Sequence, residues 1–430
     1  MLNTQRLSQY FKVITQNGSI LLAYQTKEGC GLRKNVFLLL IYTFISTITI
    51  SMYRVVFNLY LRELGFYNNT IGNITSAQLW GSAIIGLIAS VIADRIGKRK
   101  ILFFSAIVVP VVGIALAYIA DPGVIILLSF IKGGFTVTVF TVVMAAMTGV
   151  TKTENRARIF GLNFGINMAS GVVGNFVGGF FGDLFGLQST LLISMLGHFV
   201  AIIPIIQLQV IDTKSRFKEL FDFSSLEHDE KKVLTYYFVS TALVGFGAGL
   251  FIHFGNLIFK DLFNMSATGI GIALSIAQFG TAAGSVMSHR LGRRFGPLRF
   301  NLAMQLLVVP LMLSLVVARE PILFTMLYAL RFVFMNITNP IMTSIIYSYV
   351  PNSKLSTISG LNGFLNNTVR AIAAIVFGYI VGTYISGYDQ LFLLSTVFYG
   401  INAFVIFLFY REFGTKNKVM ELYEERNSRA

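Results

Sequence analysis

The sequence predicts an all-α membrane protein in which twelve transmembrane helices form two six-helix bundles related by a pseudo-two-fold axis. Of its 430 residues, 55% are hydrophobic and 12% are charged, which leaves too little polar surface for water-soluble domains of this length. A sequence block also occurs twice: residues 58–64 and 93–99 correspond to residues 256–262 and 288–294. Such a duplication within a membrane-embedded bundle predicts two homologous halves.

The individual helices are predicted from uniformly apolar runs. A helix needs roughly 20 apolar residues to cross about 30 Å of hydrocarbon, and the runs show no period-two alternation that would favour a barrel. The predicted spans are 36–60, 69–92, 100–120, 123–149, 157–181, 187–210, 233–259, 266–288, 299–318, 322–349, 356–385 and 389–410. The predicted domains are a cytoplasmic N-terminal segment (1–34), a first six-helix bundle (35–211), a cytoplasmic linker (212–232), a second bundle (233–411) and a cytoplasmic tail (412–430).

The net charge of +15 predicts membrane topology and not nucleic-acid binding, because the cations are confined to one side. Of the 34 Lys and Arg residues, 27 fall in segments on the side of the chain termini, and the opposite loops hold only Arg62, Lys260 and Arg319. Both termini are therefore expected to be cytoplasmic, in a multi-pass protein of the cell membrane. The N-terminal segment has apolar residues at helical spacing, so a surface helix and a partly ordered tail are equally compatible with it.

The sequence gives no sign of an enzyme with a metal or other cofactor. The single Cys30 excludes a disulfide framework and a cysteine metal site. The four histidines, at positions 198, 228, 253 and 289, are too scattered in sequence to suggest a metal cluster. We therefore predict a non-enzymatic membrane protein without a cofactor, acting as a monomer.

The segment Ala93-Asp94-Arg95-Ile96-Gly97-Lys98-Arg99, which ends at Leu102, resembles the signature of the major facilitator superfamily between helices 2 and 3. The twelve spans and a weaker second copy after helix 8 agree with this resemblance, which covers nearly the whole chain. It implies two bundles that rock about a central site, so that the site opens to alternate faces of the membrane.

A gating role is predicted for this loop and its second copy. Glycine permits a sharp turn at the membrane surface, and a carboxylate at the inner face is stabilised by Arg and by a helix N-terminus, which in the family belongs to the other half. A simple topology anchor is the alternative. The candidate gating residues are Asp94, Arg95, Gly97, Arg99, Arg290 and Gly292.

The fifth predicted span is similar to the glycine-rich signature of drug and proton antiporters in the same superfamily. Its small residues are spaced so that neighbouring helices can approach closely, although Asn175 replaces the proline of that signature. Helix packing unrelated to exchange is an equally good explanation. The candidate packing residues are Gly161, Gly174, Gly178 and Gly179.

Four cations lie inside predicted spans, where an ionisable group costs several kcal/mol unless it faces a cavity or a partner. Lys132 and Arg331 are 199 residues apart and are expected to face each other across the pseudo-two-fold axis. In the resembled fold, helices 1, 4, 7 and 10 line the cavity. The candidate substrate-binding residues are Arg54, Asn58, Lys132, His253, Arg331, Asn339 and Arg370.

These features predict a secondary active transporter working by alternating access. The leading prediction is proton-coupled efflux of a small organic or amphipathic solute, with His253 as the side chain that titrates closest to neutral pH. A cavity with cations and no deep carboxylate favours an anionic group on the solute. The alternatives are uptake or exchange of an anionic metabolite, a lipid flippase, and a receptor or scaffold that does not transport.

Overall fold

The computed structural model describes residues 4–151, 155–209, 227–350, 354–382 and 386–414, with side chains from residue 34 onward except those of residues 90, 91, 94, 157, 289, 356 and 386. These residues form α-helices joined by short turns. The helices are α1 (Thr4–Glu63), α2 (Asn68–Ile96), α3 (Lys98–Ala115), α4 (Pro122–Val150), α5 (Arg156–Phe185), α6 (Leu187–His198), α7 (Ile202–Ile206), α8 (His228–Gly249), α9 (Gly255–Phe263), α10 (Ala267–Phe295), α11 (Pro297–Val317), α12 (Pro321–Tyr349), α13 (Leu355–Val381) and α14 (Ser386–Phe413). The predicted all-α fold is confirmed.

Eleven segments of the described chain are long and apolar enough to cross a membrane. The one predicted span that is not among these eleven, 100–120, is the third along the chain and corresponds to α3. This helix has only 18 residues and begins with three cations, Lys98, Arg99 and Lys100. Those cations lower the apolar character of the helix and fix its first turn at a membrane surface. With α3 included, six spanning segments precede the linker and six follow it.

The two halves repeat with a constant offset of 199 residues. Helix α2 (Asn68–Ile96) matches α10 (Ala267–Phe295) at both ends, and α4 (Pro122–Val150) matches α12 (Pro321–Tyr349) at both ends. The stretches of chain between the matched helices, 97–121 and 296–320, therefore have equal lengths in the two halves, which is the pattern expected of an internal duplication.

The turn between α2 and α3 is made by Gly97, whose backbone has φ 113° and ψ 130°. The equivalent turn between α10 and α11 is made by Gly296, with φ 84° and ψ 133°. Residues with a side chain rarely adopt these angles, so both turns require glycine. The alignment of Gly292 with Gly97 in the repeated block is four residues out of register: Gly292 lies within α10, and Gly296 is the equivalent of Gly97. The gating role of Gly292 stays a prediction.

The halves cross at two glycine pairs that obey the same offset. A Cβ atom on Gly72 of α2 would lie 2.6 Å from the Ala374 carbonyl oxygen and 3.2 Å from Cα of Gly378 on α13. A Cβ atom on Gly271 of α10 would lie 2.5 Å from the Asn175 carbonyl oxygen and 3.1 Å from Cα of Gly179 on α5. The α2–α13 and α5–α10 crossings are thus equivalent contacts, which supports the predicted pseudo-two-fold relation.

The hydrophobic core is shared by the halves on one side only. We call the side with the Gly97 and Gly296 turns the Gly97 side, and the opposite side, where α1 and α9 end, the Asp261 side. One large buried cluster combines residues of both halves, including Tyr60, Ile71, Ile258 and Phe377. Two smaller clusters, around Leu102 in the first half and Ile346 in the second, are each confined to one half. The halves therefore pack together on the Asp261 side and have separate cores on the Gly97 side.

Span seven, predicted as one helix over 233–259, is interrupted. Helix α8 ends at Gly249, a short 3₁₀ turn covers Ile252–Phe254, and α9 begins at Gly255. Glycine at both edges weakens the helix there, and buried Phe251 and Phe254 occupy the break. Span six is likewise divided by a 3₁₀ turn at Phe199–Ala201.

The ends of the halves differ from the predicted boundaries. The backbone helix α1 begins at Thr4, well before the predicted boundary at residue 34. Helix α8 begins at His228, inside the predicted linker 212–232, where Glu227 and Glu230 form a capping box. Residues 210–226 of the linker and 415–430 of the tail lie outside the described residues.

Candidate functional site: a cavity between the halves

A cavity of about 640 Å³ lies between the halves and is displaced toward the Gly97 side. Both halves line it, from α1, α4 and α5 on one side and from α8 and α10–α13 on the other. Hydroxyl and amide side chains dominate its wall. The amides are those of Asn163, Asn167, Gln278, Asn301, Gln305, Asn336, Asn339, Asn362 and Asn366.

The charged residues of the cavity wall are all arginines: Arg54, Arg331 and Arg370. No Asp or Glu belongs to the described wall. In a medium of low dielectric constant, three guanidinium groups without a counter-charge create a strongly positive potential. The wall is therefore suited to a negatively charged or electronegative group.

Arg331 of α12 is 2% exposed and held by aromatic residues. Its Nη2 donates to the Tyr399 hydroxyl, and its guanidinium carbon lies 4.9 Å and 5.0 Å from the ring centroids of Phe251 and Phe332. Cation–π contacts of this kind partly offset the loss of hydration. Its Nε has no partner among the described residues, so one donor of this buried cation remains available.

Arg370 and Arg54 reach the cavity from opposite halves. A Cβ atom on Gly249 would lie 2.8 Å from Cα of Arg370, so the close approach of α8 and α13 sets the position of Arg370. The Nε atom of Arg370 also lacks a partner among the described residues. Arg54 is exposed, and its own carbonyl accepts a 3.4 Å hydrogen bond from Asn256 of the other half.

Two amide–hydroxyl pairs repeat across the cavity. Thr43 of α1 donates to Asn163 of α5 over 2.9 Å, and Thr241 of α8 donates to Asn362 of α13 over 2.7 Å. The two asparagines are again 199 residues apart. These bonds hold α1 to α5 and α8 to α13 within each half, and the Asn163 amide nitrogen also donates to the Met144 sulfur over 3.4 Å.

Four of the seven predicted binding residues, Arg54, Arg331, Asn339 and Arg370, lie in the cavity wall. The other three, Asn58, Lys132 and His253, lie outside the wall, contrary to the expected arrangement. Asn58 instead donates to the His253 carbonyl over 2.9 Å and to Asn256 over 3.2 Å, within the closed contact between the halves.

Lys132 does not face Arg331 across the axis. Its side chain is 4% exposed and its Nζ lies 3.6 Å from the ring centroid of Tyr53, inside the first half. His253 is partly buried at the break between α8 and α9, with its Nε2 unpaired among the described residues. Helices α4 and α12 present equivalent faces to the cavity, since Thr136 and Phe140 match Met335 and Asn339. Lys132 is outside the wall because its ammonium group packs on Tyr53, and His253 lies at the helix break.

The closing contacts between the halves lie on the Asp261 side. Arg62 of α1 forms a 3.2 Å salt bridge with Asp261 of α9, which also accepts 2.7 Å from Tyr388 of α14. Asn68 donates to the Gly382 carbonyl over 2.9 Å. Asp183 of α5 accepts from the backbone nitrogens of Ala267 and Thr268 at the start of α10, at 3.0 and 2.8 Å. Sequence reasoning missed this role of Arg62 and Asp261, although both belong to the repeated block.

The predicted gating residues lie at the Gly97 side, around the turns already described. Arg99 donates to the Ile206 carbonyl at the end of α7, within the first half. Arg95 and Arg290 are exposed. The side chain of Asp94 lies outside the described residues, so its gating role stays a prediction.

The predicted packing glycines divide into two groups. Cβ atoms on Gly174 and Gly178 would lie 2.5 and 2.6 Å from Ile48 and Met52 of α1, and one on Gly179 would lie 2.2 Å from Ala267 of α10. Gly161 has no atom within 4 Å. The α5 glycines therefore allow α5 to approach both α1 and α10, and Gly161 is not part of either contact.

Polar residues of α10 and α11 were not predicted to line the cavity. Gln278, Thr281, Asn301 and Gln305 all lie in its wall. The expectation that the first, fourth, seventh and tenth predicted spans form the wall excluded these residues, because α10 and α11 correspond to the eighth and ninth predicted spans. Amides within the apolar spans 266–288 and 299–318 were the available signal.

Comparison with known proteins gives one consistent result. A family model described as Major Facilitator Superfamily matches residues 39–374 and 237–422. The nucleoside transporter NupG has a similar structure, with a TM-score of 0.71 and 14% sequence identity over 87% of this chain and 98% of that one. A bacterial homologue of the human lysosomal transporter Spinster, in an inward-facing and occupied conformation, has a TM-score of 0.71 and 15% identity over 88% of this chain and 96% of that one. No curated protein matches the chain in sequence.

Proposed function

Because the chain belongs to the Major Facilitator Superfamily, we propose that it is a secondary active transporter that carries a small organic anion by alternating access. The arginine-only charge of the cavity wall, from Arg54, Arg331 and Arg370, is the observation that supports this substrate class. A bound anion would accept hydrogen bonds from the guanidinium groups of Arg331 and Arg370, which line the cavity, and such charge-assisted bonds are about twice as strong as neutral ones.

The same wall has an apolar part suited to the body of an organic anion. Ile252, Met168, Phe140, Phe332 and Met335 contribute it. A volume of about 640 Å³ falls within the range of pockets that bind small molecules. An anion with an apolar portion therefore fits this cavity better than an inorganic ion or a purely apolar solute.

Alternating access is supported by the distribution of contacts between the halves. A shared core and the Arg62–Asp261 salt bridge join them on the Asp261 side, and the cavity separates them on the Gly97 side. With the termini in the cytoplasm, as the positive-inside rule predicts, this is an inward-facing arrangement. Outward transport in exchange for protons, across the cell membrane and by a monomer, completes the proposal.

Flux into liposomes containing the purified protein tests this proposal. The solutes are malate, glycerol 3-phosphate and an aryl sulfonate as anions, uridine as a neutral solute and tetraphenylphosphonium as a cation, each with and without an imposed pH gradient. We expect protein-dependent flux of at least one anion and none of the cation. Flux of the cation alone would contradict the proposed substrate class, and absence of all flux would favour a receptor or scaffold.

Arg331→Gln and Arg370→Gln are expected to reduce anion flux at low solute concentration by roughly 10-fold or more, because a hydrogen bond to a charged group contributes about 1.5–3 kcal/mol. Arg411→Gln is the matched control: Arg411 is exposed at the end of α14, away from the cavity. Equal flux in all three variants would show that the cavity arginines do not bind the solute.

A further inference from the structure

Lys132 belongs to a buried polar group inside the first half, separate from the cavity. Its Nζ lies 3.6 Å from the Tyr53 ring centroid. No carboxylate and no hydrogen-bond acceptor contacts this ammonium group among the described residues. A buried lysine without a counter-charge is in an unfavourable environment, which it leaves by releasing its proton.

The surroundings of Lys132 contain a second titratable side chain. His198 of α6 is fully buried, and its Nδ1 lies 2.8 Å from the Thr49 hydroxyl of α1. That hydroxyl also lies 3.1 Å from the Ile45 carbonyl, to which it can donate its only proton. In that arrangement the His198 Nδ1–H donates to Thr49, and the unpaired Nε2 is left as a buried acceptor.

Among the described residues, the titratable or charged groups that interact electrostatically with Lys132 are Arg54 of α1 and His198 of α6. Helices α2 and α3 present Gln78 and Gly113 at this level. A Cβ atom on Gly113 would lie 2.4 Å from the Met195 sulfur and 3.3 Å from Cε of Lys132. So tightly packed a site favours a proton over a bound ion.

Tyr53 connects this group to the contact between the halves. The residues that follow it on α1 carry the inter-half bonds: Asn256 donates to the Val55 carbonyl over 2.7 Å, and Asn58 donates to the His253 carbonyl over 2.9 Å. A change of charge at Lys132 therefore acts on the same turn of α1 that holds the second half.

We propose that Lys132 is a proton-binding site which, through Tyr53, biases the equilibrium between the two orientations of the halves. The inference rests on the alternating access of the proposed function. In the state with a closed Asp261 side, the Lys132 ammonium group is buried against the Tyr53 ring with no acceptor among the described residues, so this state binds the proton weakly. By linkage, a state that binds the proton more tightly is more populated at low pH. Low pH is therefore expected to open the Asp261 side.

The distance between Val124 and Leu323 measures this equilibrium without any solute. These exposed residues begin α4 and α12 at equivalent positions on the Asp261 side. Spin labels on Val124→Cys and Leu323→Cys, in a Cys30→Ser background that removes the only native thiol, report the distance by double electron–electron resonance. The protein in lipid nanodiscs is expected to show the shorter distance at about pH 9 and a growing longer component toward about pH 6.

Three variants assign the proton. Lys132→Met is expected to abolish the pH dependence, Lys132→Arg to give the longer component at every pH because Arg stays protonated, and Lys260→Met, on an exposed lysine of α9, to leave the pH dependence unchanged. A wild-type pH response in either Lys132 variant would overturn the proposal, and if Lys132→Met fails to fold, the Arg variant decides alone.

Loss of the pH response in His198→Gln but not in Lys132→Met would assign the proton to His198 and overturn the proposal. An unlabelled protein with anion flux whose labelled form shows no pH response would reject this inference and leave the proposed function standing.

Discussion

Lys132 and Arg331 occupy equivalent positions in the two halves and both pack on aromatic rings, yet only Arg331 belongs to the cavity wall. Arg331 lines the cavity and donates to Tyr399, whereas Lys132 packs on Tyr53 inside its own half. The backbones around them match in length and in their crossing glycines. The comparison shows that the duplication preserved the helix framework and its contacts while the polar side chains diverged, one toward the cavity and one toward the interior of its half.

The equivalence of the framework is tested most strongly at the crossing glycines. Gly72→Ala and Gly271→Ala each place a methyl group within 2.6 Å of a backbone carbonyl oxygen of the other half. We expect each to lower the free energy of unfolding by about 3 kcal/mol, since packed backbones cannot yield easily. Thermal unfolding in detergent measures the effect. Gly161→Ala and Gly360→Ala, which have no atom closer than 4.0 Å, are the matched controls. A large effect at only one crossing would contradict the equivalence.

Substitution of the turn glycines is expected to destabilise the protein less than substitution of the crossing glycines. Gly97→Ala and Gly296→Ala force a side chain into backbone angles with φ 113° and 84°, at a cost of about 1–2 kcal/mol each. Similar decreases in Tm are expected for the two variants. Gly400→Ala, in the open interior of α14, is expected to have no destabilising effect. Destabilisation by Gly97→Ala alone would show that the turn at Gly296 does not require glycine.

The smallest effect concerns two carboxylates of the second half. Asp261 pairs with Arg62 across the halves, and Asp389 pairs with Arg319 within one half. Because exposed ion pairs contribute about 0.2–1 kcal/mol, neither Asp261→Asn nor Asp389→Asn should unfold the protein. Asp261→Asn alone is expected to increase the longer Val124–Leu323 distance in the spin-label measurement. An equal change in both variants would show that the Asp261 pair has no role in closing that side.

Sequence reasoning predicted the framework because apolar runs and the offset between Lys132 and Arg331 are both visible in the sequence. It could not predict which way Lys132 points. A helix that is apolar on all sides has no periodicity to distinguish the cavity face from the interior, so the direction of a single polar residue is set by packing. The turn at Gly296 was misplaced for a related reason: the basic residues near Gly292 resemble those near Gly97 more closely than the residues around the true turn do.

The contacts that close the Asp261 side could not be predicted from the sequence either. Arg62 and Asp261 stand in separate halves, and nothing in either segment indicates that they meet. The break between α8 and α9 could not be predicted, because glycine is common in membrane helices and Gly249 and Gly255 are therefore not distinctive. The packing of Phe251 and Phe254 shows why the chain departs from a helix there.

That break divides one membrane crossing between two mechanical units. Helix α9 is tied to α1 through Asn256 and Asp261, and α8 is tied to α13 through Thr241 and Asn362. In the alternating-access cycle proposed above, a continuous helix would tilt as a whole and carry its Asp261-side end away from α1. The interrupted helix would let α8 move with its own half while α9 stays bonded to α1, so that the cavity would change shape before the contacts on the Asp261 side separate.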